Sequence, residues 1–205
     1  RQQFYRQFTV SLWQKQSAYP AGLIPWEEGI TEVDVVIEFE NPATTIFIEM
    51  KYGSPLSSTT SKNAGDHGFP SDQLIRNIRI GLRRCNWFDE NLLVSKAKRD
   101  FLVIVLAPFS IPKLVDTYQS PSSIRNAIPN GAQLSQLPAH RFVGGTTYSK
   151  LMFELESNVP FMSASEKRLV QQLRDYLDFK QSSIAKRQSP TSREVTGTFL
   201  PVVSV

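Results

Sequence analysis

At 205 residues, with 40% hydrophobic and 20% charged residues, the chain can bury its own core and is too apolar to be a disordered segment. Its net charge of +4 leans only weakly towards an anionic partner, and a single cysteine (Cys85) with two histidines excludes a disulfide framework and disfavours a structural zinc site. The longest apolar stretch, Phe101 to Phe109, is broken by Pro108 and falls far short of the roughly 20 residues of a membrane helix.

From the N-terminus, Phe4, Phe8 and Leu12 recur in steps of four between Gln, Arg and Lys, which predicts an amphipathic helix over residues 2–16. Pro20, Gly22, Pro25 and Gly29 then mark an irregular connection. Two runs rich in branched residues follow, Val33 to Phe39 and Thr45 to Lys51, separated by Glu40-Asn41-Pro42-Ala43-Thr44. Turn chemistry between two β-type runs predicts a hairpin. Residues 53–70 read as a long Gly/Ser/Thr/Asn loop, and loops of that length are functional or mobile.

A helix is expected from Ser71, capped by Ser71 or Asp72, with Leu74, Ile75, Ile78 and Leu82 buried and Gly81 weakening its later part. The unbroken Phe101 to Leu106 run suits a central strand covered on both faces. Beyond it come a proline-rich stretch with a short helix near 121–127, a strand around Arg141-Phe142-Val143 and a helix from Thr147 to Ser157. A last helix carries Leu169, Val170, Leu173, Tyr176 and Leu177 behind a Ser163 or Ser165 cap. The expected organisation is one domain over 1–180 and a Ser/Thr/Pro-rich tail over 181–205, in which Phe199 to Val203 could dock back as an edge strand. The fold class is α/β (α+β), a mixed central sheet with helices on both sides.

The hairpin carries the chemistry. With its turn centred near 42–43, Glu40 faces Thr45 and Asp34 faces Lys51. Side chains alternate along a strand, so Asp34, Glu49 and Lys51 share one face at the open end of the hairpin. Val33, Val35, Ile37, Ile46, Ile48 and Met50 share the other, read as the packing surface. Two neighbouring carboxylates suit a hard cation such as Mg²⁺ or Mn²⁺, to which the backbone carbonyl of Ile48 or Met50 could add an oxygen. The competing reading of Glu49-Met50-Lys51 is a cross-strand ion pair on a solvated face. Against it, charges set within strongly apolar strands need a reason.

The segments Thr31 to Ile37, Ile46 to Ser54 and Asp72 to Ile78 resemble the PD-(D/E)XK, or restriction-endonuclease-like, nuclease superfamily over residues 27–85. The resemblance implies Asp34 and Glu49 as metal ligands, Lys51 as the catalytic lysine and Gln73 as a supporting amide. Val33 stands where that family often has proline. It also implies a metal-dependent nuclease acting on phosphodiester bonds, of DNA by the family's habits, in restriction or phage defence.

Glu32 and Glu28 are accessory carboxylate candidates, each with a solvated-surface alternative. Gln73, Arg76 and Arg83 form a polar stripe on the helix suited to a phosphate backbone, and Arg79 joins them as a nucleic-acid contact or an ordinary surface residue. Ser57 to Ser61 could touch phosphates, whereas His67 and His140 read as non-catalytic and Cys85 as a buried structural thiol. Expected partners are nucleic acid and no membrane, with a homodimer or a domain upstream of Arg1 as further expectations, and the expected location is cytoplasmic. The alternatives are a non-catalytic nucleic-acid-binding or protein-interaction domain on a similar fold, and a two-carboxylate glycosidase.

Overall fold

A computed structural model describes residues 8–16, 31–52, 55–58, 68–87, 97–129, 131, 134 and 142–188. The chain falls into two compact units, Arg1–Asn158 and Val159–Val205. The first holds a five-stranded sheet in the order β1 (Phe8–Gln16), β2 (Thr31–Glu40), β3 (Ala43–Met50), β4 (Asp100–Ala107) and β5 (Val143–Thr147). The first three strands run antiparallel as a meander, while β3, β4 and β5 are parallel. Helix α1 (Gln73–Arg84) makes the crossover from β3 to β4, α2 (Leu114–Thr117) and α3 (Pro121–Asn126) lie between β4 and β5, and α4 (Tyr148–Ser157) leaves β5 directly. The fold is a mixed α/β one.

The helix expected over residues 2–16 is, over its described part, the strand β1, paired with β2 from Phe8 opposite Phe39 to Gln16 opposite Thr31. A spacing of four is also a multiple of the strand period of two, so Phe8 and Leu12 fall on one face in either structure. Val10 between them is the residue that fits the strand and not the helical stripe. Pairing decides the matter, because β1 satisfies backbone groups along the outer edge of β2.

The hairpin turns on Asn41 and Pro42, joined by a cis peptide as in a type VI turn. Glu40 therefore pairs with Ala43 and Val35 with Ile48. That register differs from the expected one, and one step further on it places Asp34 opposite Glu49 instead of Lys51. Parity is unchanged, so the three candidate groups still share a face.

That face is the more deeply buried one, contrary to the expected packing surface. Val36, Thr45, Phe47, Phe101, Val103 and Val105 lie on it, all at 1% exposure or less, beneath Leu74, Ile75, Ile78 and Leu82 of α1. On the opposite face Val33 and Leu106 are buried too, whereas Val35, Ile37, Ile46, Ile48, Leu102 and Ile104 are only half-buried and Met50 is 40% exposed. Each large apolar side chain under α1 contributes about 1.5–3 kcal/mol by leaving water, enough to settle which face the helix covers. Gly81 has a packing reason: a Cβ there would run into the Phe101 ring, which meets Phe47 edge-on at 5.1 Å between centroids.

Asp72 caps α1, its Oδ1 accepting the Ile75 N–H at 3.0 Å while its Oδ2 accepts the Tyr118 hydroxyl at 2.6 Å. Thr147 caps α4 through the Lys150 N–H, and the helix covers Tyr148–Ser157 where one was expected over 147–157. In the second unit Ser163 and Glu166 form a reciprocal capping box at the start of α5 (Ala164–Gln188). This helix continues past Gln181, where the compositional shift suggested a tail; Phe199 to Val203 lies outside the described residues. No described helix is long and apolar enough to cross a membrane.

Candidate metal and phosphate site

The carboxyl ends of β3, β4 and β5 point the same way, and the first turn of α1 meets them there. Lys51, just past β3, donates its N–H to the Leu106 carbonyl of β4 at 2.8 Å. Beside it the Tyr52 ring lies 4.9 Å from that of Tyr148, the first residue of α4. The backbone thus converges at one edge of the sheet.

The β2–β3 pairing runs no further than Val35 with Ile48. Beyond it the Asp34 side chain takes over, its Oδ2 accepting the Met50 N–H at 2.7 Å. Asp34 is half-buried, and its Oδ1 accepts no hydrogen bond from the described residues.

Glu49 is 2% exposed. Lys51 Nζ lies 2.7 Å from its Oε1, and Gln73 Nε2 donates to the same oxygen at 2.5 Å. Gln73 closes a triangle by accepting from Lys51 Nζ on its own Oε1 at 2.9 Å. Asn77 Nδ2 donates to Glu49 Oε2 at 3.2 Å. Gln73 and Asn77 are four apart on α1 and so share a face. Burial pushes the Glu49 carboxyl above its usual range, and the Asp34 charge adds to this; Lys51 and Asn77 pull it down without overcoming burial.

Gln73 is anchored in turn by residues 55–58 on the far side of the loop, since its backbone N–H donates to the Ser57 carbonyl at 3.0 Å. Arg76 reaches the Ser57 hydroxyl at 3.4 Å, which puts one guanidinium beside the carboxylate edge. Arg83 sits at the opposite end of α1, roughly 10 Å further along the axis at 1.5 Å per residue.

Arg79 is a correction. It is fully buried, and its guanidinium donates to the Pro70 carbonyl and, at 3.0 Å, to that of Ala127. A phosphate cannot reach it in this conformation; it ties α1 to the segments before the helix and after α3. Glu38 and Glu40 pair with Arg84 and Arg99 at 3.1 and 3.4 Å, near the turn. Glu32 is exposed at the start of β2. Glu28, His67 and His140 lie outside the described residues, and Cys85 is buried with its thiol pushed up to about 11 by burial.

The sequence reading missed Asn77 and the anchoring role of Ser57. Asn77 had a signal, since it stands one turn after Gln73 and so falls on the same face of the helix. Ser57 had none, because its contacts depend on where the loop returns.

Compared with known proteins, the chain matches no family model, no curated protein and no solved structure.

Proposed function

We propose that this chain is a metal-dependent nuclease of the PD-(D/E)XK type, hydrolysing phosphodiester bonds, with Asp34 and Glu49 as the ion's ligands and Lys51 as the catalytic lysine. The observation that carries this reading is the closed Glu49–Lys51–Gln73 triangle at the carboxyl ends of parallel strands, with Asp34 opposite on the same face. A meander followed by a helical crossover into a parallel strand, with the acid, the E-x-K and the Gln on successive elements, fits the restriction-endonuclease-like arrangement.

The donor set suits a hard divalent ion. Among the described residues no three His, Cys, Asp or Glu side chains gather, so those residues contribute two carboxylates. Mg²⁺ accepts such a site, since it commonly binds through one or two carboxylates and fills its shell with water and substrate phosphate oxygens. The Met50 carbonyl is a further candidate oxygen, at the residue whose N–H Asp34 holds. When bound, the ion supplies a Lewis acid that offsets charge building on the phosphate.

The chain's own groups do the rest. Lys51, with a side chain only 12% exposed, holds a positive charge at the carboxylate edge, where a nucleophile and a developing phosphate charge both need one. Gln73 fixes the lysine and Glu49 relative to each other through one amide. Arg76 presents a charge-assisted donor to the next phosphate along. DNA is the proposed substrate on the strength of the resemblance alone.

A second reading has its own support: both Glu49 oxygens already accept hydrogen bonds, as in a structural ion pair on a non-catalytic binding domain. Incubating the protein with plasmid, linear duplex, single-stranded DNA and RNA, each with Mg²⁺, Mn²⁺ or EDTA, separates the two. Cleavage that needs the ion and is lost in Lys51→Met supports the nuclease. No cleavage of any substrate with either ion supports the binding domain.

A further inference from the structure

Asn77 is wholly buried, yet it leaves its Oδ1 without a hydrogen-bond partner among the described residues while Nδ2 reaches Glu49 Oε2. A buried unsatisfied carbonyl costs about 1–3 kcal/mol, so an aliphatic residue of similar size would serve the core as well. Leu74, Ile75, Ile78 and Ile80 around it on the helix show what this helix otherwise places there. The asparagine therefore needs a reason at its other end.

That end is one particular oxygen. A carboxylate oxygen accepts about two hydrogen bonds, and Glu49 Oε1 already takes two donors, Lys51 Nζ and Gln73 Nε2. Among the described residues Oε2 takes one, from Asn77, which leaves it a lone pair. Across the strand pair Asp34 is divided in the same way, with Oδ2 on the Met50 N–H and Oδ1 accepting nothing from the described residues. One oxygen of each carboxylate is thus committed to the protein and one keeps capacity for a ligand.

We infer that Asn77 is a positioning residue for the divalent ion, holding Glu49 so that Oε2 is the oxygen presented to the metal while Lys51 and Gln73 keep Oε1. This rests on the proposed metal site and assigns a division of labour within it. The asparagine acts through Glu49 and touches neither substrate nor reacting atoms. Its retention at a cost to packing follows, because a leucine would leave the carboxylate free to turn.

The test is Mn²⁺ binding by calorimetry on the full chain without nucleic acid, for the wild type and Asn77→Leu, with metal-free melting temperatures alongside. Expected is a Kd for Mn²⁺ raised about tenfold or more in Asn77→Leu, with a metal-free melting temperature within a few degrees of wild type, since one lost hydrogen bond is offset by one removed orphan oxygen. Asn77→Ser, which keeps a hydroxyl donor, should fall between the two. Wild-type binding unchanged in a folded Asn77→Leu protein overturns the inference and leaves the metal site standing. Absence of Mn²⁺ binding by the wild type removes the metal site and the inference with it. Should Asn77→Leu fail to fold, the Asn77→Ser protein decides alone, and an unchanged Kd there also overturns the inference.

Discussion

Asp34 accepts the Met50 N–H at the point where β2 ceases to pair with β3, so its carboxylate stands in for the strand carbonyl that would otherwise sit there. The same side chain is thereby both a piece of sheet structure and one of two acids facing each other. An amide at position 34 can still accept from Met50 but no longer repels Glu49, whose carboxyl the Asp34 charge helps to push up.

Asp34→Asn should consequently leave the metal-free melting temperature unchanged or raised, and should abolish both cleavage and stabilisation by Mg²⁺. Thermal melts with EDTA and with Mg²⁺, run beside a cleavage assay, check this. A clear drop in the metal-free melting temperature with activity retained would show that the sheet-capping role is the only one.

Lys51→Met removes the strongest partner of a nearly buried carboxylate. Breaking such a pair costs about 3 kcal/mol where the remaining charge stays uncompensated, and Gln73 and Asn77 relieve only part of that. An ion at the carboxylates replaces the missing charge. The variant should therefore be inactive, less stable than wild type in EDTA, and stabilised by Mg²⁺ more than the wild type is. Equal metal-induced shifts in the two proteins would argue against a shared site.

The raised Glu49 carboxyl has a pH consequence. Its folded value lies above the ordinary 4.5, so between the two values the folded protein holds more protons than the unfolded chain. Stability from this group is full below about pH 4.5 and is lost as pH rises through the folded value. Urea unfolding in EDTA should show the wild type losing stability relative to Glu49→Gln as pH is raised through that window. A relative gain would mean that Lys51 outweighs burial.

Arg76 and Arg79, three apart on one helix, should behave as opposites. Arg76→Ala should weaken nucleic-acid binding and flatten its salt dependence by about one counterion, with little change in stability. Arg79→Ala should cost roughly 2–4 kcal/mol of stability, because it leaves a hole and two carbonyls without their donor. Fluorescence anisotropy in EDTA across a salt series, with melts of both variants, distinguishes them. A stable Arg79→Ala protein with impaired binding would return Arg79 to the surface role first expected of it.

The sequence alone determined the hairpin, an α1 cap at Ser71 or Asp72, of which the structure uses Asp72, and the common face of Asp34, Glu49 and Lys51. All three follow from local rules: branched residues around turn chemistry, a short polar side chain ahead of an apolar period, and strict alternation along a strand, which a change of turn position by a single residue leaves intact. Tertiary structure decided the rest. β1 is a strand because β2 offered an edge; within 2–16 the spacing suits helix and strand alike, with Val10 as a hint of the strand. The carboxylates lie on the buried face because α1 crosses there, so Glu49 is desolvated and Arg79 is drawn inside to carbonyls distant in sequence. Asn77 and Ser57 owe their places to the same crossover, which brings the helix face onto Glu49 and residues 55–58 onto Gln73 and Arg76. Periodicity is a property of one segment, whereas burial depends on which segment comes to cover it.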